Sequence, residues 1–246
     1  MLPVLQIGPL AIPIYPLSLL LAIWAALAAG AWAAGREGIA GDHIYNAGLY
    51  ALAAGLIAGR LAHVAVYWPA YRPQPLEIIG LNSRAFLAWP GLIAALVVAL
   101  WYALRHRLAW GALLDAVAPG ILIGLAIASI GALLSGRALG APADLPWSVT
   151  LWGVPRHPIQ IYEAVPYLAV AGIVLAAIRR AKTRTPQAQP GTPAWLALLG
   201  FGLIHWLLEP FRADSTLMLG SLRAAQVFGL LLALCALWAL HRRAKN

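Results

Sequence analysis

The stretch IPIYPLSLLLAIWAALAAGAWAA, from Ile12 to Ala34, carries no charged side chain. A helix crosses the hydrocarbon of a bilayer with about 20 apolar residues, so this run is long enough to span. Its apolar residues do not alternate with polar ones as the strands of a membrane barrel do. With no water to hydrogen-bond the backbone, a helix is the reading left. The rest of the chain repeats the pattern. Of 246 residues, 62% are hydrophobic and only 10% charged, against about 25% charged in a soluble domain. Six further spans are predicted, at Tyr45–Trp68, Phe86–Leu104, Leu113–Leu134, Ile161–Ile178, Ala194–Leu208 and Leu222–Leu240. The fold class is therefore all-α: a polytopic bundle of seven spans forming a single integral membrane domain over residues 1–246. Residues 183–193, rich in Thr, Gln and Pro, read as a flexible linker between the fifth and sixth spans.

The basic residues set the expected orientation. Ten of the 17 Lys and Arg fall in the set of loops holding Arg36, Arg105, Arg179 and Arg242, and six fall in the other set. The richer set is expected in the cytoplasm, which places the N-terminus outside and the C-terminus inside. The formal charge of +9 thus reads as topology, and nucleic acid is excluded as a partner because the cations form no stripe. Cys235, the one cysteine, lies inside a span and offers neither a disulfide framework nor a thiolate metal site. No metal or cofactor is expected. No basic segment precedes the first span, so a cleaved signal peptide is not expected either.

Ionisable groups inside spans are costly and tend to carry function. Arg60 sits about two turns from the outer end of the second span, with His63 and Tyr67 on the same helical face. Glu163 and Glu209, near the outer ends of their own spans, are candidate partners for it. Arg60 reads either as a structural lock between helices or as a phosphate-binding fork. His205 lies one turn before Glu209. The run Glu209-Pro210-Phe211-Arg212 closes the sixth span, by helix termination with a surface ion pair or as part of a site. Gly55-xxx-Gly59 and Gly120-xxx-Gly124 are small-residue spacings that let helices approach closely.

The densest polar run is Arg156-His157-Pro158-Ile159-Gln160-Ile161-Tyr162-Glu163. It resembles a motif of the prolipoprotein diacylglyceryl transferases, and other stretches follow in that family's order. They are Ile14-Tyr15, Ala58-Gly59-Arg60-Leu61, Gly91-Leu92-Ile93, the glycines Gly131, Gly136 and Gly140, and Glu209-x-Phe211-Arg212 followed by Gln226. The resemblance implies a bacterial, multi-pass protein of the cytoplasmic membrane that works in lipoprotein biosynthesis. It implies transfer of a diacylglyceryl group from phosphatidylglycerol to the cysteine thiol of a lipobox precursor, with glycerol phosphate leaving.

The same resemblance implies site residues. Tyr15, Arg60, Arg156, Glu163 and Arg212 are expected to bind the lipid headgroup, and His205 and Glu209 to act in catalysis. It also marks departures. Trp89 stands where the family has His, and Ser129 and His205 where it has Arg. Ala132 and Ser135 stand at two Asn of its signature, and Arg137 at its Glu. A hydroxyl replaces neither the charge nor the fork of a guanidinium, and His205 does so only in part and only when protonated. Losing one such donor costs about 3 kcal/mol of transition-state stabilisation. The reading from sequence is thus a transferase-like membrane protein with an outer-leaflet phospholipid site and weak or absent transfer. Such a protein would serve as a lipid-binding or accessory subunit of a larger membrane complex. The alternative is an active, divergent transferase.

Overall fold

Long runs of Leu, Ala, Ile and Val satisfy their backbone only by coiling, and short polar or proline-bearing stretches break the coils into spans. The computed structural model describes residues 4–80, 85–184, 190–219 and 222–245. In chain order the elements are β1 (Val4–Ile7), β2 (Leu10–Pro13), α1 (Ile14–Ala34), α2 (Gly41–Val66), α3 (Trp68–Tyr71) and a 3-10 turn (Pro75–Ile79). There follow α4 (Ala88–Arg105), α5 (Trp110–Leu134), β3 (Val149–Leu151), β4 (Val154–Arg156), α6 (Ile159–Arg184) and α7 (Thr192–Leu208). A second 3-10 turn (Glu209–Phe211), β5 (Leu217–Leu219), β6 (Leu222–Arg223) and α8 (Ala224–Lys245) complete the chain. Among the described residues seven helices are long and apolar enough to cross a membrane: α1, α2, α4, α5, α6, α7 and α8.

Each expected span falls on one of these helices, with shifts at the ends that have local causes. The first starts at Ile14, because Leu10–Pro13 pairs with Val4–Ile7 in a hairpin and Pro13 caps the helix. The last starts at Ala224, because Leu222 and Arg223 pair back onto β5. Of the expected linker 183–193, residues 183–184 end α6, Pro190 and Gly191 form a turn, and 192–193 open α7. Residues 185–189 lie outside the described residues.

The chain divides into two compact units. The first comprises residues 1–39 and 110–246, and the second residues 40–109. In the first unit, α5 packs on α1, α6 and α7, and α7 packs on α8. Glycines set these distances. A side chain at Gly120 would run into the carbonyl of Ala26 in α1, and one at Gly124 would lie 3.1 Å from the carbonyl of Ala22. Between α7 and α8 the contact is mutual: a Cβ on Gly202 would sit 2.6 Å from the Gly229 carbonyl, and one on Gly229 2.7 Å from that of Gly202. In the second unit α2 packs on α4 in the same way, with Gly91 against the carbonyl of Gly55. Close backbone approach through small residues is how helices associate where lipid removes the hydrophobic drive. Leu20, Trp24, Ile57, Leu96 and Leu231 are exposed on the surface, where hydrocarbon rather than water meets them.

Gly120→Val should therefore force α1 away from α5. Overpacking of this kind costs about 1–3 kcal/mol. A lowered midpoint of thermal unfolding in detergent, followed by circular dichroism, is the expected result. An unchanged midpoint would contradict the proposed contact.

Candidate functional site

One end of the first unit gathers most of its polar side chains. The end is built where α5 stops, α6 starts, α7 stops and α8 starts, and a strap over residues 139–143 ties these pieces together. On one side of the strap, Ala141 donates its N–H to the carbonyl of Phe211 at 2.7 Å, and Ala213 donates to Leu139 at 2.8 Å. On the other side, His157 donates to Ala141 at 3.0 Å and Ala143 to Pro155 at 3.1 Å. Gly140 bridges Arg212, and Pro142 bridges Arg156. The strap thereby sets the backbones of Arg156 and Arg212 on either side of itself. The approach requires glycine, since a Cβ on Gly140 would overlap the carbonyl of His157.

The side chains then form a continuous network. Glu163, 7% exposed, accepts from Arg212 Nη1 at 2.7 Å on one oxygen and from Ser129 Oγ at 3.3 Å on the other. Arg212 turns its remaining edge to Asp214, at 3.1 and 3.2 Å. Burial on its own would lower the pKa of Arg212; the Glu163 and Asp214 carboxylates override it and raise the guanidinium above its usual value. A raised pKa stabilises the fold fully below the unfolded value and is lost only above the folded one. An arginine stays protonated, folded or unfolded, until strongly alkaline pH, so this contribution of Arg212 persists through the whole working pH range. Arg223 donates to the Arg212 carbonyl and to Ser215 Oγ.

Deeper in the bundle, Tyr167 of α6 and His205 of α7 share a hydrogen bond of 3.0 Å between Oη and Nε2. The His205 ring also packs on Phe201, 4.4 Å between centroids. The buried Glu209 carboxylate faces His205 and Ser215. Tyr167 follows Glu163 by one turn of α6, which sets the ion pair beside the Tyr167–His205–Glu209 group. Gln160, one turn before Glu163 and fully buried, donates Nε2 to the carbonyls of Arg137 and Ala138 at 2.7 and 2.8 Å. Arg137 lies over the ring of Tyr15, 4.4 Å from its centroid. Arg156 donates Nη1 to the Gly140 carbonyl at 3.1 Å, and its Nε is buried with no partner among the described residues.

The structure thus brings Tyr15, Arg156, Glu163, His205, Glu209 and Arg212 to one end of one unit. Ser129 joins them through Glu163. Ala132 is buried in α5, and Ser135 returns its hydroxyl to the Gly131 carbonyl at 2.8 Å, closing that helix. Arg60 and Trp89 lie in the second unit. Within its own unit the Arg60 guanidinium donates to three carbonyls. Nε donates to Ile78 and Nη1 to Ala85, each at 2.9 Å, and Nη2 donates to Glu77. Two of these carbonyls belong to the 3-10 turn Pro75–Ile79, and the third precedes α4. Trp89, at the start of α4, is 75% exposed. Sequence reasoning missed Tyr167. The available signal was its spacing, four residues after Glu163 on the same helical face.

A model of the family "Prolipoprotein diacylglyceryl transferase" matches residues 3–242 of this chain. The phosphatidylglycerol–prolipoprotein diacylglyceryl transferase of Bordetella parapertussis is 34% identical over 238 residues, covering 92% of this chain and 87% of the relative. The protein of the same name from Synechocystis is 30% identical over 239 residues, covering 93% and 84%. That from Nitrosomonas europaea is 30% identical over 223 residues, covering 88% and 78%.

Two variants test the geometry. Glu163→Gln leaves the Arg212 charge with only Asp214, and breaking one side of a buried pair should cost about 3 kcal/mol. The midpoint of unfolding should fall at every pH from neutrality upward, and a variant as stable as the parent would contradict the pairing. Gly140→Ala should destabilise the strap while leaving helix content unchanged. Faster proteolysis between residues 134 and 159 is the expected readout, and wild-type resistance would contradict the contact.

Proposed function

The chain belongs to the prolipoprotein diacylglyceryl transferase family, and we propose that it is an active member. It would move the diacylglyceryl group of phosphatidylglycerol to the cysteine thiol of a prolipoprotein, in the outer leaflet of a bacterial cytoplasmic membrane. The observation that carries the reading is the buried cluster of Arg212, Glu163, Tyr167, His205 and Glu209. Ionised groups cost several kcal/mol to bury and are retained only where they are paired or used. The names of the relatives point to the same activity. This favours the divergent enzyme over the weak or inactive accessory protein that the Ser129 and His205 positions suggest in sequence.

Cations are not scarce at this end. Arg137, Arg156, Arg212 and Arg223 stand with Glu163, Glu209, Asp214 and Asp144; Arg212 is paired to Glu163 and Asp214, while Arg156 and Arg137 turn to a carbonyl and a ring. Arg137, where the resemblance expects a glutamate, adds positive charge in place of a negative one and offsets the neutral Ser129. In the proposed reaction the precursor thiol gives up its proton and Sγ attacks the glyceryl carbon that bears the phosphate. The S–C bond forms and the C–O bond breaks. Its electron pair leaves on the phosphate oxygen, and glycerol phosphate departs. The thiolate is the competent nucleophile, so a base is needed. His205, held between Tyr167 and Glu209, takes that proton. Arg156 and Arg212 hold the phosphate where charge accumulates on the leaving oxygen, the task for which preorganised donors are worth most.

Purified protein, phosphatidylglycerol and a lipobox peptide test the reaction directly. A thioether-linked diacylglyceryl peptide should accumulate with released glycerol phosphate. No product above a no-protein control would overturn the proposal and return the accessory reading. Within the active enzyme, His205→Ala should lower the rate by two to four decades, about the usual worth of a general base. Arg156→Ala should lower it by about two to three decades. Rates within threefold of the parent would remove either residue from the assigned role.

A further inference from the structure

At the end of the first unit opposite to the Glu163 cluster, α5 and α7 leave a cleft of about 550 Å³. Its walls are apolar. Leu114, Val117 and Ile121 of α5 face Ala194, Leu198 and Phe201 of α7, and Trp110 and Trp195 stand at the rim. One charged side chain lines it, Arg243 from the last turn of α8. Arg243 donates Nη1 to the carbonyl of Pro190 at 2.8 Å. The nearby buried carboxylate of Asp115 is engaged elsewhere. It accepts the N–H groups of Gly191 and Ala194, at 2.5 and 2.8 Å, and so caps α7. Arg243 lies within electrostatic reach of Asp115, but no hydrogen bond joins them among the described residues. Arg242 and Lys245 occupy the same last turn of α8 and bring further positive charge to this end.

We propose that this cleft binds one acyl chain of an anionic phospholipid, drawn from the leaflet opposite to the one that serves the transferase cluster, with the lipid phosphate held at Arg243. The form of the site supports that occupant. The cleft is apolar along its length and charged at one end, which is the polarity of a lipid entering tail-first with its headgroup at the interface. Tryptophans at the rim suit the headgroup level. Basic side chains beside a membrane surface favour anionic over neutral lipid, and Arg binds phosphate through its planar fork. The cleft opens to the membrane-facing side of α5, where Leu114 and Ile121 are 49% and 54% exposed, so a chain enters without passing through water. At its inner end stands Phe201, which stacks on Tyr167 at 6.2 Å and packs at a tilt on His205 at 4.4 Å. The tip of a bound chain would therefore press on the side chain that backs the transferase cluster.

Delipidated protein in detergent, titrated with phosphatidylglycerol or phosphatidylcholine and read by native mass spectrometry, tests the proposal without using activity. The parent should bind at least two phosphatidylglycerols, one of them at the transferase cluster. Leu114→Trp, which fills the cleft from its exposed wall, should bind one fewer; Ala197→Phe fills it from α7 and should do the same. Arg243→Gln should weaken that binding event about tenfold for phosphatidylglycerol and leave phosphatidylcholine unchanged. Circular dichroism checks that each variant is folded. Wild-type stoichiometry in both filled variants would overturn the site. Equal affinity for the two lipids with no effect of Arg243→Gln would overturn the headgroup assignment. A change of oligomeric state in the filled variants, with lipid count unchanged, would give the cleft to a second copy of the chain.

Discussion

The close passage of Gly140 beneath the carbonyl of His157 is the contact on which the polar end of the first unit depends. Only a residue without a side chain lets residues 139–143 lie flat between the β3–β4 hairpin and the segment after α7. Once they do, their backbone hydrogen bonds place Arg156 and Arg212 on opposite edges of one strap. Everything that carries charge there follows from this arrangement. Arg212 reaches Glu163 across from α6, Glu163 reaches Ser129 on α5, and Gln160 ties α6 back to the end of α5 through two carbonyls. A lipid environment favours such pairing, because each unsatisfied polar group costs on the order of several kcal/mol. The strap turns short, irregular backbone into a rigid rim on the bundle.

The network also shows how the buried charge of Glu163 is compensated. Ser129 offers it a hydroxyl, and Arg212 lies 2.7 Å away. His205 is placed by two neighbours, Tyr167 and Glu209, and is backed by Phe201. Taken together, these side chains keep Arg212 paired with Glu163 and set His205 beside a carboxylate and a phenol.

Much of the fold was legible in the sequence for one physical reason. A bilayer demands long uncharged helices, and such runs announce themselves without reference to tertiary structure. The seven spans and the Gly55/Gly59 and Gly120/Gly124 contacts were therefore readable, and so was the outline of the polar run at Arg156–Glu163. The starts of the first and last spans were not, because hairpin pairing at Leu10–Pro13 and Leu222–Arg223 competes with the helix and leaves no compositional mark. Partner choice was not legible either. Arg60 has an arginine's usual taste for carboxylates, yet within its own unit it donates to carbonyls of the 3-10 turn Pro75–Ile79. Tyr167 was hidden because a tyrosine in an apolar helix looks like filling until the histidine opposite it is placed. The role of Asp115 as a cap for α7 joins residues far apart in sequence and carries no local signature.

The central claim is that this chain catalyses transfer rather than merely resembling proteins that do. The most direct measurement expresses it in a bacterium depleted of its own diacylglyceryl transferase and follows one lipoprotein precursor by mass. The account predicts that the precursor gains a diacylglyceryl group on its lipobox cysteine, and that Arg156→Ala expressed at the same level abolishes the gain. A precursor that stays unmodified, while the protein is folded and in the membrane, would contradict it.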